Sequence, residues 1–242
     1  MQMIAIDAPA PANNDTTRDV LVRVALDLFG RKGFEATSTR EIAFGAGANI
    51  AAIAYHFGGK EGLRKGCAEF ITGALGETLG PLLAEGGSIG NLKPSAARAK
   101  LIQIIDTMIG FLVVSTQAEP IARFMMREMS EPSSAFDLIH DSSMAPIHEH
   151  ICALWALSTG WDAHSEQTRL STLAMFGQVV YFRVARQLVL RRMDWVDVGP
   201  EQAAELRQVV VRNLQAAIDA ARKDAAGKDA ARKSTPLRRS VQ

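Results

Sequence analysis

From Thr16 onward, apolar side chains recur at spacings of three and four residues, the period of a helix with one buried face. Leu21, Val24, Ala25 and Leu28 form the first stripe and Phe29 widens it. Gly33 is placed to stop that helix. Ser38 and Glu41 make the pattern S-x-x-E, a capping box that starts a second helix at Thr39. Gly45 to Gly47 breaks it. Asn49 suits the cap of a third short helix running through Ile50, Ile53 and Ala54 to His56. Gly58-Gly59 ends that helix and Lys60 opens a fourth. Gly86-Gly87 to Pro94 reads as a linker. Longer helices are predicted beyond it, over Ser95–Thr116, Pro120–Ser130, Ala135–Leu157, Ser165–Met193 and Pro200–Ala221. No run of alternating β-branched residues is bounded by turns, so an all-α fold is expected. Its parts are a small N-terminal unit and a larger helical bundle behind it. The expected order is a disordered leader over 1–15, the small domain over 16–66, the bundle over 67–221 and a basic flexible tail over 222–242.

Composition narrows the class. Of 242 residues, 48 % are hydrophobic and 22 % charged, which excludes a disordered chain, a fibre and a disulfide scaffold. Charges interrupt every apolar window before the ~20 residues of a membrane span. Met1 to Ala12 lacks the basic start and apolar core of a secretory signal. Cys67 and Cys152 lie far apart in unrelated contexts and read as reduced thiols of a cytoplasmic protein. The net charge of +1 conceals an asymmetry: Thr16–Gly66 carries +3, Cys67–Ala221 carries −5 and Arg222–Gln242 carries +5. A basic front on an acidic body suits a chain that meets a polyanion with one region only.

The stretch STREIAFGAGANIAAIAYHF, residues 38–57, places two short helices about a glycine-containing turn. That is the helix-turn-helix arrangement, in which the second helix enters the major groove. Ile42, Ala43, Ile50, Ile53 and Phe57 would hold the pair against the first helix. Short helix pairs also occur in bundles that bind nothing, so the spacing leaves both readings open. An enzyme is not expected, because no Ser-His-Asp or Cys-His set and no phosphate loop stands in a supporting motif. No cofactor is expected either. His148 and His150 lie about 200° apart around a helix and cannot share one metal ion.

The runs T-S-T-R-E-I-A, A-G-A-N-I-A-A-I-A-Y-H-F and G-K-E-G-L, preceded by A-L-D-L-F-G-R-K-G-F-E-A-T, resemble the N-terminal domain of the TetR family of bacterial repressors. R-E-M-S-E-P-S-S-A-F-D, at Arg127 to Asp137, looks like the C-terminal domain of the CecR-like branch of that family. The resemblance implies an all-α chain with an N-terminal three-helix helix-turn-helix DNA-binding domain and a C-terminal helical bundle for ligand binding and dimerisation. It also implies a homodimer on a palindromic double-stranded DNA operator, released by a small-molecule effector bound in the acidic body. It assigns Thr39 to phosphate, Arg40 to a guanine edge or phosphate, Asn49 to a cap and a base, Tyr55 and His56 to phosphate or base, and Lys60 to phosphate. The chain departs from the family pattern where a polar or basic residue commonly follows the recognition-helix cap. Ile50, Ala51 and Ala52 stand there, so readout would lean on Arg40, Asn49, Tyr55, His56 and apolar contact with thymine methyls. Gly59 likewise replaces a common Ser or Thr cap.

In the body, Met108, Phe111, Phe124, Met125, Phe136, Trp155 and Phe176 are candidate linings of an apolar pocket, with Arg127 and His140 as polar groups within it. The same residues at helical spacing also build an ordinary core. Leu173, Val180, Leu188, Leu206, Val210 and Leu214 exceed what one bundle helix needs, and the resemblance assigns them to the subunit interface. Three function classes follow: a ligand-responsive repressor, a helical protein-interaction module with a degenerate helix-turn-helix, and an enzyme built on the bundle.

Overall fold

The computed structural model describes residues 16–84 and 89–234. The expected leader, the Gly86-Gly87 start of the linker and the end of the tail lie outside them. Among the described residues the elements are all helical. They fall into two compact units that interleave along the chain: 16–78 with Ser115–Ala145, and Leu79–Val114 with 146–234.

The first unit is built on α1, Thr17–Lys32. Thr16 and Asp19 form its capping box, the Asp19 amide donating to the Thr16 hydroxyl at 3.3 Å and the Thr16 amide to the Asp19 carboxylate at 3.2 Å. The Thr16 hydroxyl beside Asp19 holds that carboxyl below its usual range. α2 (Thr39–Gly45), α3 (Ala51–Phe57) and the start of α4 (Lys60–Ala84) seat Ile42, Ala43, Ile53 and Leu63 in its core. The capping box expected at Ser38 is half made. Ser38 Oγ accepts from the Glu41 amide at 3.2 Å, but the Glu41 carboxylate turns to Lys32 instead of to the cap.

α6 (Ala118–Ser130) packs along α1, and α7 (Ser134–Ile139) follows it. The α1–α6 crossing is close. A Cβ on Gly30 would stand 2.8 Å from the Arg123 Cβ. Phe29 meets Phe124 there, with ring centroids 6.5 Å apart. Arg127 donates to the carbonyls of Gly30 at 2.9 Å and Arg31 at 3.0 Å, satisfying the open last turn of α1 with a cation. Gly33, at φ +89°, ends α1 as expected, and its missing side chain leaves room for the Arg127 guanidinium. Beneath lies a buried ion pair. Glu128, only 3 % exposed, accepts from Arg64 Nε at 2.8 Å and from Ser133 Oγ at 2.6 Å.

The second unit gathers α5 (Pro94–Met108), α8 (Ala145–Thr159), α9 (Glu166–Val184), α10 (Arg186–Met193) and α11 (Pro200–Ser234) around one apolar core. Two ion pairs tie α5 to α11: Arg98 donates to both Asp219 oxygens at 2.7 and 3.3 Å, and Arg207 Nη2 donates to Asp106 Oδ2 at 2.8 Å. The Asp106 carboxylate raises the Arg207 pKa.

Three helices expected to be continuous are interrupted. α5 passes into a π-helical stretch at Ile109–Val114 around Gly110, a weak helix former. The 135–157 helix divides into α7, a π-helical stretch at His140–Met144 and α8. Pro146 lacks an amide to extend a regular ladder there, and the preceding Asp-Ser-Ser run is a poor helix former. The 165–193 helix bends by 78° between α9 and α10. α11 in turn runs past the expected Ala221 to Ser234.

Replacing one member of a buried ion pair leaves the other charged and unpaired. Glu128→Ala is therefore expected to cost about 3–5 kcal/mol in urea unfolding, and the double variant Arg64→Met/Glu128→Leu markedly less. Equal losses would show that the pair is not what holds α6 in place.

Candidate nucleic-acid interface and ligand-binding body

The helix-turn-helix is positioned from beneath by contacts that leave one face open. α2 approaches α1 so closely that a Cβ on Gly45 would reach 2.9 Å from Val24 Cγ1. Gly47, at φ +60°, turns the chain back, and the Ala48 amide donates to the Ala43 carbonyl at 2.9 Å. Asn49 Oδ1 accepts from the Ala51 amide at 2.9 Å, although Ile50, not Asn49 as expected, is the N-cap of α3, so this bond is made one residue ahead of the cap. Thr37, which the apolar pattern does not single out, is buried and donates to the Gly33 carbonyl at 2.7 Å, fixing the corner between α1 and α2. Phe57 anchors the far end of α3. Gly62 and Gly66 of α4 pass directly over it, since a Cβ on Gly62 would fall 1.7 Å from the Phe57 carbonyl oxygen and one on Gly66 2.8 Å from its ring. The Arg18 guanidinium covers the same ring at 5.3 Å.

What this scaffold exposes is specific. On α2, Arg40 and Phe44 are exposed on one face, four residues apart. On and before α3, Asn49, Ile50, Ala51, Ala54, Tyr55 and His56 are exposed, and Thr39 is half-buried at the start of α2. Tyr55 is 85 % exposed and stacks edge-on against His56 at 4.9 Å, so it is not a packing residue. Lys60 is half-buried, its ammonium 4.2 Å above the Phe34 ring. Phe44 and Ala54 are the positions on this face that the pattern of motifs missed. Their outward direction depends on the angle at which α2 and α3 lie on α1.

The candidate pocket residues separate into the two units. Phe124 lies in the core of the first unit against Phe29, and Arg127 is spent on the last turn of α1. Met125 and Phe136 are half-buried in the same unit, and His140 is exposed, hydrogen-bonded to Asp141 at 2.7 Å. In the second unit, Trp155 and Phe176 line a narrow void of about 10 Å³ with Leu101, Ile104, Met175 and Thr172. That volume sits at the lower limit for one water. Met108 is buried in the surrounding core, and Phe111 is half-buried on the π-helical stretch that follows. The Thr172 hydroxyl on the wall lies 2.8 Å from His148 Nε2 and 3.3 Å from Cys152 Sγ. The Trp155 indole N–H is buried without a partner among the described residues. Burial and the nearby Lys100 push the His150 pKa down, favouring the neutral ring. Cys67 is fully buried in the first unit, where burial and Glu128 push its thiol far up and leave it unreactive.

The interface residues also divide. Leu206, Val210 and Leu214, expected between subunits, are interior: their α11 face packs into the core of the second unit, leaving at most 5 % exposed. Leu173 and Leu188 are exposed and Val180 is half-buried. On α9, Leu170, Leu173, Gly177, Tyr181 and Val184 follow one another at three- and four-residue steps, and all are exposed, as is Ala174 beside them. A groove of about 410 Å³ runs beside this stripe, between α9 and α11. Among the described residues no single helix is long and apolar enough to cross a membrane.

Residues 21–67 match the model of the bacterial regulatory proteins, tetR family. Residues 97–221 match that of the C-terminal domain of the HTH-type transcriptional dual regulator CecR. The CecR protein of Shigella flexneri is 35 % identical over 193 residues, covering 78 % of this chain and 86 % of the relative. The chain belongs to the TetR family, on its CecR-like branch. A TetR regulator from Legionella pneumophila shares the fold, with a TM-score of 0.57 at 19 % identity over 84 % of this chain and 99 % of its own. So does AibR, solved with isovaleryl coenzyme A and operator DNA, at 0.61 and 12 % over 81 % and 96 %. As a TetR-family chain, the protein is a DNA-binding transcriptional regulator with a helix-turn-helix, and not an enzyme.

Gly62 decides how tightly α4 lies on the recognition helix. Gly62→Ala is expected to displace Phe57 and cost about 1–3 kcal/mol of stability, read as a lower thermal midpoint. Gly73→Ala, where nothing lies within 4 Å, is the control and should leave the midpoint unchanged or higher.

Proposed function

We propose that this TetR-family regulator is a ligand-responsive repressor that binds a palindromic operator as a homodimer and leaves it when a small apolar effector occupies the body. The observation that carries the reading is the exposed face of α2 and α3, set on a scaffold whose core is built from Leu21, Ile42, Ala43, Ile53 and Leu63. Arg40 and Lys60 bring positive charge to it, and Thr39, Asn49, Tyr55 and His56 bring hydrogen-bonding groups. A dimer is supported by the exposed apolar stripe of α9, which has no counterpart in the needs of a lone soluble helix. A two-fold pair of heads asks for a two-fold operator. An apolar effector is supported by the lining of the void beside Trp155, where Met175 and Phe176 are flexible or planar enough to repack. Release follows from linkage: an effector that favours the form unable to hold DNA lowers operator affinity by its differential affinity for the two forms. Cytoplasmic localisation accompanies this reading.

Selection from a random duplex pool at near-physiological salt is expected to enrich a palindrome. Arg40→Ala should weaken binding to it by about 1–3 kcal/mol if Arg40 holds a guanine in bidentate fashion. Affinity should also fall steeply with salt. A folded protein that enriches no motif would move the assignment to a protein-interaction module. Leu173→Asp is expected to convert the dimer to a monomer in sedimentation velocity; a variant that stays dimeric would remove α9 from the interface.

A further inference from the structure

The outward face around α3 is unusual in what it lacks. Ile50 is 45 % exposed, Ala51 and Ala54 are exposed, and none of the three has a polar side-chain atom. Ala54 is the i+4 neighbour of Ile50 and the i+3 neighbour of Ala51, so the three border one another on the helix surface. Asn49, the one amide nearby, has its side-chain oxygen held by the Ala51 N–H at 2.9 Å, so only its NH₂ is left to meet a base. Arg40 stands on the adjacent helix with exposed Phe44 four residues on. The part of this face formed by Ile50, Ala51 and Ala54 has no side-chain group with which to hydrogen-bond a base edge. It offers hydrocarbon, and the floor of the major groove presents one hydrocarbon group, the thymine C5 methyl. The same surface laid on a G·C pair would cover donors and acceptors without pairing them, which is unfavourable. Both effects select in the same direction.

We propose that the recognition helix reads thymine methyl groups with the side chains of Ile50, Ala51 and Ala54, so that these residues set operator specificity while Arg40 supplies the charged contact. This rests on the operator-binding reading above, and the experiment separates the two. The full-length protein is titrated against its selected operator with each thymine in turn replaced by deoxyuridine, which pairs identically and lacks only the methyl. At the contacted thymines affinity is expected to fall about fourfold for each methyl buried. Ile50→Ala should bind the thymine operator more weakly and lose its sensitivity to deoxyuridine at one position. Ile50 lies outside the core, and circular dichroism checks that the variant is folded. As a second readout, Ile50→Gln should shift the selected base away from thymine at that position. If an operator is selected but deoxyuridine is neutral at every position, methyl readout is overturned and operator binding stands. If no operator is selected, both fall, and the apolar face is a docking surface for protein.

Discussion

The docking of α6 on α1 is the contact from which the rest of the reading head takes its position. It combines a carboxylate almost fully withdrawn from water, Glu128, with two arginines in different roles. Arg64 neutralises that carboxylate from α4, and Arg127 leaves it alone to satisfy the open carbonyls of α1. A buried charge tolerates little displacement, because any movement that lengthens its hydrogen bonds returns the desolvation cost. α1, α4 and α6 are thereby held in one arrangement, and α2 and α3 inherit their angle from it. Glycines at the crossings, at positions 30, 45, 62 and 66, let the helices come close enough for these bonds to form.

Much of this was legible in the sequence. The break points of the first three helices follow from glycine and from the asparagine just ahead of α3, which act locally. The helix-turn-helix is short enough that local signals specify nearly all of it. Thr16 and Asp19 carried the same capping pattern as Ser38 and Glu41, yet only the former closes reciprocally, because Lys32 competes for the Glu41 carboxylate. That competition is between residues nine apart, on different helices, and periodicity does not register it. Long-range placement was less legible for the same reason. Arg127 and Phe124 look like pocket residues in a linear reading, and their partners lie nearly a hundred residues upstream. Leu206, Val210 and Leu214 show the limit of stripe counting, since an apolar stripe announces burial without saying whether the covering surface belongs to the same chain.

The body offers a different balance. Its core is closed around the void beside Trp155, and the polar groups at its wall are already paired, except for the Trp155 indole. A ligand entering there would have to displace side chains, a cost that Met and Phe rotamers keep modest. The π-helical stretch at Ile109–Val114 already departs from the regular ladder, so that segment has alternative hydrogen-bond partners close at hand.

The interleaving of the two units bears on how such proteins can be recombined. A head cut out as one continuous N-terminal piece would leave α6 behind, exposing Phe29, stranding Arg64 without its carboxylate and uncapping α1. Exchange of DNA specificity between relatives, in evolution or at the bench, therefore needs a graft of two separate stretches, or a recipient that already carries the equivalent of Phe124, Arg127 and Glu128.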